Sequence, residues 1–135
     1  MNKIFSIAFI VHLCICLCNC GKNTPKEAVL KSENDSLNLG IVHDSADFAF
    51  KIKSVGNDTL KVLKLASGCG CTQVATEKTN IPPGDSTLLK GRYTPETLGE
   101  FEKSIVINTN TEKKFHVLRI RGTSKSIRKQ KEKHP

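Results

Sequence analysis

Between residues 34 and 124 the chain alternates short apolar stretches with turn signals about every ten residues, and no stretch sustains a 3.6-residue period. Such spacing leaves no room for a packed helix and constrains the fold to strands. Phe48-Ala49-Phe50-Lys51-Ile52-Lys53 shows the pattern most sharply, with Phe48, Phe50 and Ile52 on one face and Lys51 and Lys53 on the other. Period two of this kind marks a half-buried strand. Further strands are predicted at residues 37–42, 59–66, 71–76, 86–93, 101–109 and 115–120. Val55-Gly56-Asn57-Asp58 and Ile81-Pro82-Pro83-Gly84-Asp85 punctuate them, the second combining the fixed φ of Pro with a Gly that admits positive φ. About seven short strands predict an all-β, immunoglobulin-like antiparallel sandwich over residues 35–123, with a barrel of similar strand count as the alternative.

The start of the chain reads differently. After Met1-Asn2-Lys3, residues 4–18 form a fifteen-residue apolar stretch broken only by Ser6 and His12. As a helix it would reach roughly 22 Å, short of the roughly 30 Å hydrocarbon core of a bilayer, so it reads as the apolar region of a signal peptide. Leu17-Cys18-Asn19-Cys20-Gly21 resembles a bacterial lipobox. That makes residues 1–19 a lipoprotein signal peptide and Cys20 the lipid acceptor; Cys16 and Cys18 each follow a bulky aliphatic residue and suit the role less. An uncleaved apolar anchor or an ordinary secretory signal is the alternative, and either would also export the domain. Two or three acyl chains at about 0.8 kcal/mol per buried methylene hold a protein stably to a membrane. Gly21-Lys22-Asn23 lacks the acidic cluster that some bacteria use for surface export, which points to the periplasmic face of the cell envelope. Residues 20–34, rich in Lys, Asn, Thr, Glu and Ser, read as a flexible tether.

Lys and Arg number 21 against 13 Asp and Glu, so the full chain carries +8. Loss of residues 1–19 takes Lys3 with it and leaves 20 against 13, or +7. Residues 124–135 hold five basic residues and one acidic residue, +4 of that charge, so the body is only mildly basic. This tail reads as a solvated, disordered terminus, or more sharply as an attachment to anionic lipid or cell-wall polymer. Nucleic acid is not an expected partner, because no aromatic residues interleave the basic ones for base stacking.

The order of short motifs carries a resemblance. Phe48-Ala49-Phe50, Ser67-Gly68-Cys69-Gly70-Cys71-Thr72, Ile81-Pro82-Pro83-Gly84, Tyr93-Thr94-Pro95, Gly99-Glu100-Phe101, Ile105-Val106-Ile107-Asn108-Thr109-Asn110 and Ile120-Arg121-Gly122 together resemble the bacterial domain of unknown function 1573. That family is similar to Hydin-type immunoglobulin-like domains. The resemblance implies an exported, often lipid-anchored β-sandwich and no assigned reaction.

Cys69-Gly70-Cys71 is the constellation with chemical potential. In an extended segment, residues two apart share a face with Cα atoms about 6.6 Å apart, at the upper edge of disulfide geometry, and a bend at Gly70 would shorten that. One reading is structural: buried thiols or a local disulfide shaping a bend. A second is redox, a strained pair exchanging with a partner thiol, although the helix N-terminus of a Cys-x-x-Cys motif is missing. A third is Cu(I) held by two thiolates, whereas zinc would need further ligands such as His43 or His116. Enzymatic motifs are absent, and Asp44, Asp47, Asp58 and Asp85 lie in or beside expected turns; a Cys71 nucleophile with His116 as base is the one catalytic pairing on offer. Asp35-Ser36-Leu37, Asp44-Ser45-Ala46, Asp58-Thr59-Leu60 and Asp85-Ser86-Thr87 resemble a bacterial O-glycosylation acceptor, and equally make turns.

The reading is therefore a non-catalytic, lipid-anchored, extracytoplasmic binding module without a cofactor or resident metal. Its partners are the membrane, through Cys20, and a protein or cell-wall ligand at the loop of Pro82, Pro83 and Gly84 or at the Cys69–Thr72 bend. A thiol-redox or Cu(I)-handling protein centred on Cys69 and Cys71 is the alternative.

Overall fold

Alternation builds the strands that form the core. In β3 (Ala46–Ser54) Phe48, Phe50, Ile52 and Ser54 are buried while the residues between them, Ala49 included, are exposed. β8 (Gly99–Thr109) and β9 (Phe115–Ser124) bury Ile105, Ile107, Leu118 and Ile120 in the same way. The computed structural model describes residues 24–125, so the expected signal peptide, the expected lipid acceptor Cys20 and the basic tail beyond residue 125 lie outside the described residues. Completing the set are β1 (Leu30–Ser32), β2 (Ser36–Val42), β4 (Leu60–Ser67), β5 (Thr72–Thr76), β6 (Asn80–Ile81) and β7 (Ser86–Tyr93). They form two packed sheets, ordered β1-β3-β7-β5 and β2-β9-β8-β4-β6. Phe50, Ile52, Leu60, Ile81, Leu89, Ile105, Ile107, Leu118 and Ile120 are all but fully buried between the layers. Each such side chain contributes roughly 1.5–3 kcal/mol relative to exposure, and together they hold the sandwich.

The expected all-β sandwich is the observed one, and its details differ in three places. There are nine strands where about seven were expected, because β1 and β6, of three and two residues, are too short to show a period. β2 runs parallel to β9, with Ser36 opposite Arg119 and Val42 opposite Ser124, against the expectation of a purely antiparallel sandwich. The cause is a change of layer: β1 pairs with β3 in one sheet, residues 33–35 cross over, and β2 continues along the edge of the other sheet in the direction already set.

The third difference lies at the tether expected over residues 20–34. Its second half is part of the domain. Asn57 accepts a bond from Glu27 N through Oδ1 at 2.6 Å and donates from Nδ2 to Pro25 O at 3.1 Å. Asn57 N and Asp58 N donate to Glu27 O, Val55 N donates to Val29 O, and Ala28 is buried. Composition misses this because the segment is held by its backbone groups rather than by apolar side chains.

The N-terminal segment, the 55–59 turn, the 82–85 turn and the 110–114 loop therefore share one end of the sandwich, called proximal here. At the opposite, distal end lie the 43–45 turn, the Cys69–Cys71 turn, the 94–98 loop and Ser124, as the pairings Ala46–Tyr93, Thr72–Tyr93 and Gly99–Ser124 require.

Candidate functional site

The distal end brings two features together. The first is the turn between β4 and β5, where the chain passes from one sheet to the other. Cys69 and Cys71 are joined there by a disulfide with Cα atoms 5.2 Å apart, shorter than an extended segment allows, because residues 68–71 bend. The bend does not use a left-handed glycine: positive φ occurs at Gly40, Gly84 and Gly99, and Gly70 is not among them. Hydrogen bonds shape it instead. Ser67 Oγ donates toward Cys69 O at 2.9 Å and Thr72 O at 2.6 Å. Gly68 N donates to Ser104 O, Thr72 N to Cys69 O and Thr94 N to Cys71 O. The two cysteines are unlike in access, Cys71 being buried at 5% exposure and Cys69 half-buried. Buried Thr72 places Oγ1 3.8 Å from each of them. Closing so small a loop removes little entropy from the unfolded chain, about 1.6 kcal/mol for three residues by the loop-closure relation.

The second feature is a shallow cleft of about 540 Å³ across the outer face of β2, β9 and β8. Asn38 and Ile41 flank it on β2, Arg121 and Thr123 on β9, and Glu100 and Glu102 on β8. Its shape comes from a break in the β2–β9 ladder between Asn38 and Ile41, where Gly40 takes φ +66° and donates its N–H to Asn38 Oδ1 at 2.9 Å. Gly122 leaves room for its two neighbouring strands, since a Cβ there would lie 2.6 Å from Gly40 O on β2 and 2.9 Å from Phe101 Cζ on β8. Ile41 is 57% exposed at the cleft's edge, an apolar group beside charged ones. Sequence reasoning missed this cleft; the Asn38-Leu39-Gly40 spacing, an Asn two before a Gly inside a strand pattern, is the signal that marks the bulge.

The other expected site residues are placed apart. Pro82, Pro83 and Gly84 form an exposed type II turn, with Gly84 at φ +82° and Asp85 N donating to Pro82 O at 3.0 Å, but at the proximal end. His43 is exposed in the 43–45 turn. The His116 ring bonds Thr111 Oγ1 at 2.9 Å, and its pKa is lowered by burial and by Lys113. It pairs with Ile107, while the cysteine turn meets β8 at Ser104, a separation of three residues, or about 10 Å, along the strand. Cys71 and His116 are thus not brought together as nucleophile and base. Among the described residues no group of three or more His, Cys, Asp or Glu is placed to hold a metal ion. Asp58 Oδ1 accepts from Thr59 N and Asp85 Oδ1 from Ser86 N, so two of the four Asp-Ser/Thr pairs cap their own turns, while Ser36 and Ser45 stand exposed. Asp47 and Arg92 form a bidentate pair across β3 and β7, which lowers the Asp47 pKa.

Known structures share this architecture. A protein of unknown function from Porphyromonas gingivalis W83 superposes with a TM-score of 0.68 at 20% identity, covering 78% of this chain and 51% of that one. The Vibrio cholerae VesB protease matches with a TM-score of 0.61 at 14% identity, over 70% of this chain and 31% of its own. The PapD-like domain 7 of human CEP192 matches with a TM-score of 0.56 at 10% identity, over 82% of this chain and 93% of its own. This chain therefore spans about half of the first protein and under a third of the second, and at such identities the likeness shows the fold alone. No curated protein is similar to it in sequence. With residues 30–124 matched by the family model, the chain belongs to the family described as protein of unknown function (DUF1573).

Proposed function

We propose that the protein is a non-catalytic, extracytoplasmic binding module, lipid-anchored through Cys20 and facing the periplasm, which presents the distal end of its sandwich to a protein or cell-wall partner. The observation that carries this reading is the polarity of the domain. The N-terminal segment is tied to the proximal end through Asn57, Glu27 and Val29. Thr24 lies four positions after Cys20, a reach of at most about 14 Å. An anchor at Cys20 therefore keeps the proximal end, with Pro82, Pro83 and Gly84, near the bilayer and directs the cleft and the Cys69–Cys71 turn away from it. The resemblance of residues 17–21 to a lipobox supports the anchor, and the immunoglobulin-like, PapD-like fold supports binding through loops and strand edges.

Two experiments test it. In the native host, the wild-type chain should fractionate with membranes and carry acyl mass on Cys20, and Cys20→Ala should lose both. A photo-crosslinking residue placed at Ile41 or Thr123 should give a discrete adduct that Arg121→Glu weakens at unchanged melting temperature, whereas the same probe at Lys61 or Lys114 should give none. Equal adducts from both ends would refute the assignment of the distal face.

A further inference from the structure

We propose that the Cys69–Cys71 disulfide is a thiol–disulfide exchange site that accepts two electrons from a protein dithiol, with Cys69 as the attacked sulfur and Cys71 as the leaving thiolate. This goes beyond the binding reading and stands or falls independently of it.

Three observations carry it. The turn is held by bonds that do not involve sulfur: Ser67 Oγ to Cys69 O and Thr72 O, Gly68 N to Ser104 O, Thr72 N to Cys69 O and Thr94 N to Cys71 O. Reduction therefore leaves both cysteines in place, at a Cα separation of 5.2 Å that is within the bridging range, and reoxidation needs no rearrangement. Access is one-sided. Cys69 is half-buried and Cys71 buried, and exchange begins on the sulfur that an incoming thiolate can reach. Gly70 between them is exposed, and a Cβ at this position would meet nothing within 4 Å. Finally, the Thr72 hydroxyl lies 3.8 Å from each sulfur, placed to donate to charge developing on Cys71. A buried thiolate without such a donor would leave poorly.

The step balances. One thiolate of the dithiol attacks Cys69 Sγ, and the bond between the two cysteine sulfurs breaks with its electron pair leaving on Cys71 Sγ. A mixed disulfide then joins the partner to Cys69. The partner's second thiolate attacks the partner sulfur of that bond and releases Cys69. The partner is oxidised to a disulfide, Cys69 and Cys71 are reduced, and the two protons given up by the partner end on their thiols.

The test uses the full chain in detergent, with dithiothreitol as the dithiol and oxidised glutathione as the trapping probe. Alkylation and peptide mass distinguish Cys69 and Cys71 from the cysteines at and before position 20. Dithiothreitol should reduce the pair without denaturant, and air or oxidised glutathione should restore it with the far-UV spectrum unchanged. In Cys71→Ser, Cys69 should take up glutathione at least tenfold faster than Cys71 does in Cys69→Ser. Thr72→Val should slow reduction several-fold, and Thr72→Ser should restore the native rate. Reduction that requires denaturant, or Cys→Ser variants that fail to fold, would overturn the proposal by making the bond a structural staple, and labelling of Cys71 as fast as Cys69 would overturn it by removing the distinction between attacked and leaving sulfur.

Discussion

Gly56→Ala tests whether residues 25–29 belong to the domain. A methyl there would lie 2.6 Å from Val29 N, 3.1 Å from Ala28 C and closer still to Glu27 O. Ordinary contacts begin near 3.4 Å, so the segment must shift by about 1 Å, enough to break the bonds from Val55 N to Val29 O and from Asn57 N and Asp58 N to Glu27 O. Each bond contributes about 1 kcal/mol and the buried Ala28 methyl about 0.8 kcal/mol. Conformational entropy regained by the freed residues offsets part of that loss. The segment should therefore lift away at a global cost of about 1–2 kcal/mol, below the upper range for an overpacked core. Amide hydrogen exchange followed by NMR reads this directly. Val55, Asn57 and Asp58 should lose most of their protection while Ile105 and Ile107 keep theirs. Uniform loss across β8 and β9, or retained protection at the three acceptor-dependent amides, would refute the account.

Four further outcomes are expected. Gly91→Ala should cost about 1–3 kcal/mol in a urea melt, since its Cβ would meet Phe48 Cε2 at 2.6 Å and Gln73 O at 2.7 Å on both flanking strands. Ser54→Ala should raise the urea midpoint, by up to about 1 kcal/mol, because Ser54 Oγ is buried without a hydrogen-bond partner. The Cys69→Ser, Cys71→Ser double variant should lower stability by only about 1.6 kcal/mol, or roughly 8 °C in melting temperature, where a true staple would cost about 2–5 kcal/mol. His116 has a lowered pKa from burial and from Lys113, so the unfolded chain binds its proton more readily than the fold does. Its contribution is present above about pH 6.5 and is lost as pH falls through the folded value, and His116→Gln should flatten the urea midpoint between about pH 7.5 and 5.5.

Legibility followed how far each feature is written into side-chain polarity. β3 was evident because burial alternates strictly from Phe48 to Ser54. β7 was found from residues 86–93 although Gly91 interrupts its apolar face, because turn residues bound it on both sides. The parallel β2–β9 pairing was not readable, since side-chain alternation fixes which face is buried and is blind to the direction of the neighbouring strand. Asn57 looked like one more turn residue; its grip on Pro25 and Glu27 spans 32 and 30 positions and depends on backbone groups that composition does not weigh. The pairing of Cys69 with Cys71 stood open among three chemistries in the sequence, and the bonds that decide the shape of the turn come from Ser67, Ser104 and Thr94, none of which carries a motif.

Because β2 and β9 run in the same direction, the chain comes in at one end of the sandwich and leaves at the other. Val42 pairs with Ser124, and Lys125 N donates to Val42 O at 2.9 Å, which fixes the last described residue at the distal end. β9 has ten residues, about 33 Å of strand, between the proximal loop and that exit. If Cys20 carries the anchor, the +4 charge of residues 124–135 begins that far from the bilayer holding the lipid. At physiological ionic strength a charge is screened within about 8 Å, so a charge at that exit point feels little of that membrane's field. The exit point lies instead at the end of the sandwich that carries Arg121 and the cleft over β2, β9 and β8. The parallel pairing of β2 with β9, which side-chain alternation conceals, thus sets the entry and exit of the described chain at opposite ends of the sandwich.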